Sequence, residues 1–398
     1  MADGRAVAIT GLGLVLPHGA GLEAAEAVFA GRSAVGYLPP LPGLPEATGA
    51  AASDFAAPPG TESCDRAVQF AVAAAEEAWA RSGLEGDVPA DRVATFLALS
   101  KGGMFSLADW AGAGRGDGSA VSQATPEAAA RTVAARLGLT GPLAAPITAC
   151  SSGGHALAWG AALINRGVAD AALVGAADAP LHPMILGSYR RMGVLAAPAG
   201  DPATSVRPFS ATRRGFAIGE GAGVLVLESE RSVRRRGVRP LARVAGWASG
   251  CQASSLTDME PGGGTLAHLI REAIRRAGAR PEEIDFIHAH GTATRTNDAA
   301  EARAIRDALG PAAGRVSVSS TKGAHGHLLG AAASVELVLV VLAMQRGLVP
   351  PTANLTDPDP AIGLDCTPLA PRRRSIRQAL KISCGFGGQA IVVVLARP

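Results

Sequence analysis

Short apolar runs alternate with segments of helical periodicity along the chain. The runs are bounded by glycine or charged residues, as buried strands are, and they cover residues 6–9, 93–99, 171–174 and 223–227. Apolar residues recur at helical spacing over residues 65–82, and further helices are predicted over 129–137 and 229–236. This alternation predicts an α/β fold with largely buried sheets.

The second half of the chain repeats the pattern of the first. Its matching segments are residues 239–245, 266–277, 284–289 and 316–319, the last followed by a loop and a long apolar helix over 326–344. Internal duplication of this kind changes the whole fold prediction. We therefore predict two halves, residues 1–238 and 239–398, whose strand–loop–helix units meet at a pseudo-twofold interface.

Composition argues against several classes of protein. The net charge is only +3, which gives no electrostatic footprint for nucleic acid. The five cysteines are scattered without a C-x-x-C pair, which fits a reducing cytoplasm better than a disulfide framework, and no signal peptide is predicted at the N-terminus. Residues 326–344 are long and apolar enough to span a membrane, but Glu336 and His327 favour a helix buried inside protein, so no membrane partner is expected.

A Thr-Gly-Leu-Gly sequence at residues 10–13 follows the first predicted strand and resembles the start of a dinucleotide fingerprint. Leu16 occupies the place of the third glycine, so no Rossmann cofactor site is predicted. The segment is interpreted as a tight turn.

Cys150 lies between an apolar, extended segment and a helix of small residues. At such a strand-to-helix turn, the helix dipole and free N–H groups favour the thiolate. A thiolate attacks carbonyl carbons, and the backbone N–H groups of the turn can stabilise the oxyanion that results. The alternative is a buried structural thiol, the usual state of a lone cysteine.

Two histidines in the second half complete a candidate site. His290 follows a predicted strand, and His327 opens the long apolar helix just after Lys322. Together with Cys150 at the mirrored position, they form a nucleophile with two donors. That set suits acyl transfer through a thioester, in which the donors polarise a carbonyl group.

A zinc site is the alternative interpretation of the same histidines. His288/His290 and His325/His327 are two H-x-H pairs, and residues two apart on a strand share a face. No carboxylate or cysteine lies at ligand spacing beside them, so no metal site is predicted.

Ordered motifs over nearly the whole chain resemble those of β-ketoacyl-acyl carrier protein synthases of the thiolase superfamily, including the ketosynthases of type II fatty acid and polyketide systems. The nucleophile motif is at residues 148–153, the central motif at 207–209 and 215–222, and the two histidine motifs at 289–294 and 326–331, with the lysine motif at 320–322 and the terminal gate loop at 385–388.

The resemblance implies a thiolase fold, with duplicated βαβαβαββ halves in a five-layered αβαβα arrangement, and a decarboxylative Claisen condensation. Cys150 would accept an acyl chain, and His290 and His327 would assist decarboxylation of a malonyl carrier and hold the enolate oxygen. The backbone N–H groups of Cys150 and Phe386 would form the oxyanion hole. The implied partner is an acyl carrier protein, with no cofactor beyond the phosphopantetheine that it carries.

The resemblance also implies supporting roles. Lys322 and Glu301 would be a charged pair that orients His327 and its loop, and Phe386 would also be the gate. The remaining assignments are Thr292 and Thr294 for the pantetheine arm, Cys384 beside the acyl pocket in place of a common phenylalanine, and Arg207 for docking of the acidic carrier.

The family also implies a dimer with a largely apolar contact, either a homodimer or a heterodimer with a ketosynthase-like subunit. Two other functions remain as alternatives: an acyltransferase that loads Cys150 without decarboxylation, and a non-catalytic partner subunit. Departures from the common family residues, among them Ser210, Arg214, His288, His325 and Cys384, leave the acyl substrate and the docking of the carrier open.

Overall fold

The computed structural model of the protein describes residues 7–113, 118–197 and 200–398. Within these residues the large sheet contains β1 (Val7–Leu16), β2 (Val93–Leu99), β3 (Leu143–Ala144), β4 (Ala171–Asp178), β5 (Gly221–Glu228), β6 (Ala242–Cys251), β7 (Phe286–His288), β8 (Ser317–Ser319), β9 (Gln378–Cys384) and β10 (Gln389–Ala396). Shorter strands are Gly19–Ala20, which pairs with β1, then Gly36–Tyr37, Thr48–Ala50 and Ile218–Gly219 in a small sheet, and Leu348–Val349 with Arg372–Arg373.

The helices alternate with the strands along the chain, as predicted. They are α1 (Ala25–Phe29), α2 (Arg66–Ser82), α3 (Met104–Ala113), α4 (Gly118–Ala124), α5 (Ala128–Leu137), α6 (Ser152–Asn165), α7 (Pro183–Arg191), α8 (Glu230–Arg236), α9 (Gly264–Arg276), α10 (Arg295–Leu309), α11 (Lys322–His325) and α12 (Ala332–Arg346). Local signals in the sequence set several of their ends. The Asp65 side chain accepts the N–H of Ala67 at the start of α2, and left-handed Gly138 ends α5.

The strand order repeats in the two halves of the chain. The large sheet runs β8-β7-β9-β10-β6-β1-β5-β4-β2-β3, so each half has its third strand at the outer edge and its first strand at the centre. The pairing directions repeat as well, parallel around β2 and β7 and antiparallel elsewhere. β1 and β6 join the halves as an antiparallel pair in which Val7 faces Val244. The predicted duplication is confirmed, while the division at residue 238 stays a prediction.

Five layers result from the packing of helices on this sheet. α6 and α12 lie in the centre and contact strands of both halves. α2 and α5 cover the outer face of the first half, and α9 with α10 covers the outer face of the second. One apolar cluster surrounds α6 and α12, and a separate cluster lies under each outer helix pair. The sequence α/β/α/β/α follows from these contacts, because each sheet half has one face toward the central helices and one toward an outer pair.

Residues 10–13 do not form the predicted tight turn. They lie inside β1, where a bulge interrupts the pairing with β5 between Ile9 and Gly11. A Cβ at Gly11 or Gly13 would overlap a backbone carbonyl oxygen of α2. The two glycines therefore allow a helix to approach the strand closely, which is a packing requirement that the local sequence pattern did not distinguish from a turn.

The long apolar helix begins later than predicted. α12 starts at Ala332, so His327 lies in the preceding loop and does not open the helix. In that loop the N–H of His327 donates to the carbonyl oxygen of Ala217 at 2.7 Å. Residues Leu329–Arg346 have a mean hydropathy of 1.6 and are 89% buried inside the protein, as in the core helix of a globular fold.

Candidate active site

One cavity brings together most of the predicted site residues. Its volume is about 70 Å³. It is lined by seven of the predicted residues, namely Cys150, His290, Thr292, Thr294, His327, Cys384 and Phe386. Three predicted residues do not line it: Lys322 and Glu301 are fully buried beside it, and Arg207 lies outside it. Cys150 comes from the first half of the chain and the two histidines from the second.

Cys150 is held in a tight turn ahead of α6. Ala149–Ser151 form one turn of 3₁₀ helix, in which Ala149 has the left-handed φ of 50° that costs a non-glycine residue about 1 kcal/mol. The Ser152 hydroxyl accepts the N–H of Thr148 at 3.0 Å and donates to the carbonyl oxygen of Ala149 at 2.7 Å. These bonds fix the backbone on both sides of the thiol, so its position is set before any substrate arrives.

A second turn of the same form precedes α12. Leu329–Ala331 are also 3₁₀ helix, and Leu329 has a φ of 49°, close to that of Ala149. The two turns contact each other at the centre of the molecule. They are the twin strand–loop–helix units predicted from the sequence, which meet where the halves join.

The gate loop lies directly on the nucleophile turn. A Cβ at Gly385 would come within 2.6 Å of the Thr148 carbonyl oxygen and 3.1 Å of the Cys150 nitrogen. Glycine is therefore required for this approach, which puts Phe386 at the cavity next to Cys150. The Phe386 ring stacks on Tyr189, with 5.9 Å between ring centroids.

Burial controls the ionisation of Cys150. It raises the pKa of the thiol to about 11, against smaller lowering by Lys101 and Lys322. The resting group near neutral pH is therefore the thiol, and the thiolate expected from the helix N-terminus is outweighed. The proton has to leave as the sulfur attacks, so the site needs a base.

His290 and His327 are placed to supply that base and the donors. Their ring centroids are 5.5 Å apart at an angle of 80°, and both rings reach the cavity. Burial, with Lys322 as the next cause, holds the pKa of each well below its usual value. Both rings are therefore neutral near pH 7, so each has one N–H that donates and one nitrogen that accepts.

The peptide of His290 is clamped from two sides. Its N–H donates to the Glu301 carboxylate at 2.6 Å, and the N–H of Gly291 donates to the same carboxylate at 2.8 Å. Its carbonyl oxygen accepts from the Lys322 ammonium at 2.6 Å. Lys322 and Glu301 thus bind opposite sides of the His290–Gly291 peptide. Each affects the cavity by fixing the position of His290.

Lys322 and Glu301 do not form the charged pair that the resemblance implied. The carboxylate bound to Lys322 is Glu336 on α12, at 2.5 Å, and its other oxygen lies 2.8 Å from the Lys381 ammonium. Burial alone would raise the pKa of Glu336, but the two lysines hold it well below its usual range. Glu336 was available from the sequence as a carboxylate in the middle of an apolar helix, which is rarely tolerated without a buried cation.

His288 and His325 have partners that do not form a metal site. Both rings bond to the Thr321 hydroxyl through Nε2, at 3.0 Å and 2.7 Å, and their Nδ1 atoms face the carbonyl oxygens of Ala289 and Gly326. In residues 7–113, 118–197 and 200–398, no group of three His, Cys, Asp or Glu residues is arranged to hold a metal. The two rings instead tie the His290 loop to the His327 loop through Thr321.

The cavity wall that contains Cys384 carries a group that the sequence did not indicate. Gln252 is buried, and its carbonyl oxygen accepts the N–H of Glu260 at 3.0 Å, which fixes the orientation of the amide. Its NH₂ group is left facing the sulfurs of Met259 at 3.5 Å and Cys384 at 3.9 Å. Sulfur is a weak hydrogen-bond acceptor, so the Gln252 NH₂ group has no strong acceptor on this otherwise apolar wall.

Thr292 and Thr294 also line the cavity. Their hydroxyls bond to each other at 2.9 Å, and both follow the clamped His290 peptide. A pair of adjacent hydroxyls at a cavity wall can bind an amide group of a ligand.

Arg207 is half-buried on a loop outside the cavity. Its guanidinium donates to the carbonyl oxygen of Thr204 at 2.7 Å and 3.1 Å, and to the hydroxyl of Thr212 at 3.3 Å. These are local bonds within one loop. They fit a bracing role as well as a docking role, so the predicted docking function stays a prediction.

Comparison with known proteins gives the same family over the whole chain. Residues 4–232 match the model of the beta-ketoacyl synthase N-terminal domain, and residues 241–356 match that of the C-terminal domain. The chain is 36% identical over 415 residues to the tetracenomycin polyketide synthase ketoacyl synthase alpha subunit of Streptomyces glaucescens, covering 99% of this chain and 97% of that protein.

Two solved structures share the thiolase fold of this chain. One is a type II PKS acyl-carrier protein in complex with its ketosynthase bound to the hexaketide, with a TM-score of 0.92, 30% identity and coverage of 99% of this chain and 100% of the other. The second is the ishigamide ketosynthase/chain length factor, with a TM-score of 0.89, 32% identity and coverage of 99% of both chains.

Proposed function

Since the chain belongs to the β-ketoacyl synthase family, we propose that it catalyses the decarboxylative Claisen condensation of an acyl chain with malonyl-acyl carrier protein in polyketide biosynthesis. One observation carries the proposal: a buried cysteine on a strained turn shares a small cavity with two neutral histidines from the other half of the chain. A non-catalytic partner subunit would not require a cysteine and two histidines in one cavity.

The first step loads the enzyme. The Cys150 sulfur attacks the carbonyl carbon of an acyl thioester, a neutral histidine accepts the thiol proton, and the carbon–sulfur bond to the carrier's pantetheine breaks. The departing pantetheine sulfur takes the proton back from the histidine. The products are an acyl thioester on Cys150 and a free carrier thiol.

The second step makes the new carbon–carbon bond. Malonyl thioester loses CO₂ while the N–H groups of His290 and His327 hold the developing enolate oxygen. The enolate carbon attacks the Cys150 thioester, and the backbone N–H groups of Cys150 and Phe386 bind the resulting oxyanion. Collapse of this intermediate breaks the bond to the Cys150 sulfur, which takes up a proton, and leaves a β-ketoacyl chain on the carrier.

Three further groups bind the substrates in this proposal. Thr292 and Thr294 hold the amides of the pantetheine arm, which brings the only prosthetic group required, as part of the substrate. Cys384, next to the Gln252 amide, bounds the acyl chain. The cavity is small, so Phe386 moves away from Tyr189 to admit both chains.

The proposed partners follow from the surface and from the relatives. β3 is the outer edge of the sheet, and exposed apolar side chains surround it, at Leu143, Ile147 and Trp159. Such an edge favours pairing with a second subunit, and one of the similar solved structures is a ketosynthase/chain length factor. We propose a dimer through this edge, an acyl carrier protein as the second partner, and a cytoplasmic location suited to five free cysteines.

The direct test supplies the wild-type protein with an acyl donor and malonyl-acyl carrier protein, alone and with a chain-length-factor subunit. Intact-mass spectrometry should detect the acyl adduct on Cys150, and then a β-ketoacyl carrier with release of one CO₂ for each new bond. Loading without CO₂ release would identify an acyltransferase. Absence of both reactions, with and without the second subunit, would identify a non-catalytic partner.

Docking through Arg207 gives a separate prediction. Carrier proteins are acidic, so Arg207→Glu should raise the KM for the carrier substrate about tenfold and change kcat little, because the residue lies outside the chemistry. The rise should shrink at high salt. Steady-state kinetics at two salt concentrations measure both effects.

The control is Arg271→Glu, an exposed charge reversal on the outer helix α9, for which KM should not change. If Arg207 only braces the 204–212 loop, its variant would instead lower the melting temperature and leave KM unaltered.

A further inference from the structure

Lys381 has a chemical environment that the proposed reaction does not explain. The chain contains three lysines, and two of them, Lys322 and Lys381, are almost completely buried against the same carboxylate. One ammonium is enough to neutralise Glu336. The second is a further positive charge inside the protein, and its desolvation is costly unless ion pairs or hydrogen bonds compensate for it.

The position of Lys381 connects it with both clamps of the His290 peptide. On one side it binds Glu336, which holds Lys322 against the His290 carbonyl oxygen. Its charge also acts electrostatically on Glu301, which accepts the N–H groups of His290 and Gly291. Removing its charge would therefore act on both ends of one peptide.

We infer that Lys381 is a positioning residue of the condensation site: it keeps Glu336 and Glu301 ionised, so that the His290 peptide stays clamped, and it keeps the His290 and His327 rings neutral so that they can donate to the enolate. This inference rests on the proposed function. Lys381 does not line the cavity, so it acts through the residues that do.

The pKa shifts of the neighbouring groups have the direction that this role requires. Burial raises the pKa of Glu301 to about 7, and Lys381 opposes that rise. Burial lowers the pKa of both catalytic histidines, and Lys322 and Lys381 add to that lowering. The other titratable groups that interact with the Lys381 charge are His288 on β7, Lys322 on α11, Glu336 on α12 and Cys384 on β9. Without the Lys381 charge, Glu301, Glu336 and the histidines would all bind protons at higher pH.

Lys381→Met tests the inference, because it keeps the length of the side chain and removes its charge. Glu336 keeps Lys322 as its partner, so the melting temperature should stay within a few degrees of wild type or rise. The acid limb of malonyl decarboxylation should move upward by about one pH unit, which lowers the rate about tenfold on that limb, with recovery at higher pH. Loading of Cys150 should be affected much less.

Ser383→Ala is the matched control, since it changes a buried side chain on the same strand without changing charge. A Lys381→Met profile that overlays the wild-type profile would overturn the positioning role. If the methionine variant does not fold, Lys381→Gln repeats the test. A wild-type protein that does not decarboxylate malonyl thioester would overturn the proposed function alone. NMR titration of labelled histidines in wild type and Lys381→Met would then decide the role of Lys381. An unchanged pKa of His290 would contradict that role.

Discussion

Replacing Cys150 with serine is expected to reduce acyl loading by several orders of magnitude while leaving the fold intact. The two side chains are nearly the same size, so the turn from Ala149 to Ser152 keeps its bonds. A hydroxyl is far less ionised and less nucleophilic than a thiol, and no base in this cavity can compensate for that difference. Intact-mass spectrometry after incubation with an acyl donor measures the loss directly.

Cys384→Ser is the matched control for this experiment, because Cys384 is a second buried thiol on the wall of the same cavity. Burial raises its pKa even more strongly, so it is not expected to carry the acyl chain. Loading at the wild-type rate in Cys150→Ser would remove Cys150 from the mechanism. An adduct that disappears only in Cys384→Ser would make Cys384 the nucleophile.

Alanine at His290 or His327 is expected to suppress condensation about a hundredfold or more, with a much smaller effect on loading. Each ring contributes one donor to the developing enolate, and loss of such a donor from a preorganised site costs on the order of 3 kcal/mol. Loading depends on the Cys150 turn and the oxyanion hole. In each single variant, the histidine that remains can accept the thiol proton. Single-turnover assays that separate the acyl adduct from CO₂ release give the two rates.

His268→Ala serves as the control, since this histidine is exposed on α9. It should change neither rate. If the His290 or His327 variants lost loading and condensation equally, with a lowered melting temperature, the histidines would be structural. Stoichiometric zinc in the wild-type protein, found by elemental analysis, would also contradict these roles.

Apolar periodicity and the repeated pattern were sufficient to predict the α/β class and the duplication. The strands were found at the predicted places, but several were longer, as in β1, because a buried strand that includes glycines such as Gly11 and Gly13 loses the apolar signal. Whether such glycines make a turn or admit a helix depends on what packs against them. That information lies in α2, more than fifty residues away in the chain.

The site was predicted best where a residue reaches the cavity. Cys150, His290 and His327 carry chemistry that a short motif can express, and the structure places them together. The buried ion pairs were harder to predict, because Glu336 and Lys381 are brought together only by the packing of α12 on β9. The family resemblance implied a pairing of Lys322 with Glu301, but the Glu301 carboxylate is occupied by backbone N–H groups.

The twin turns ahead of α6 and α12 differ in whether they can hold a thiol. In the second turn the place of Cys150 is taken by Gly330, whose N–H donates to the Asp178 carboxylate at 2.7 Å. Any side chain there would collide with Ser100, so the duplicated turn has no room for a second thiol. Under the proposed function, Cys150 is then the one thiol that these two turns offer to a growing chain, and extending more chains together requires assembling more subunits.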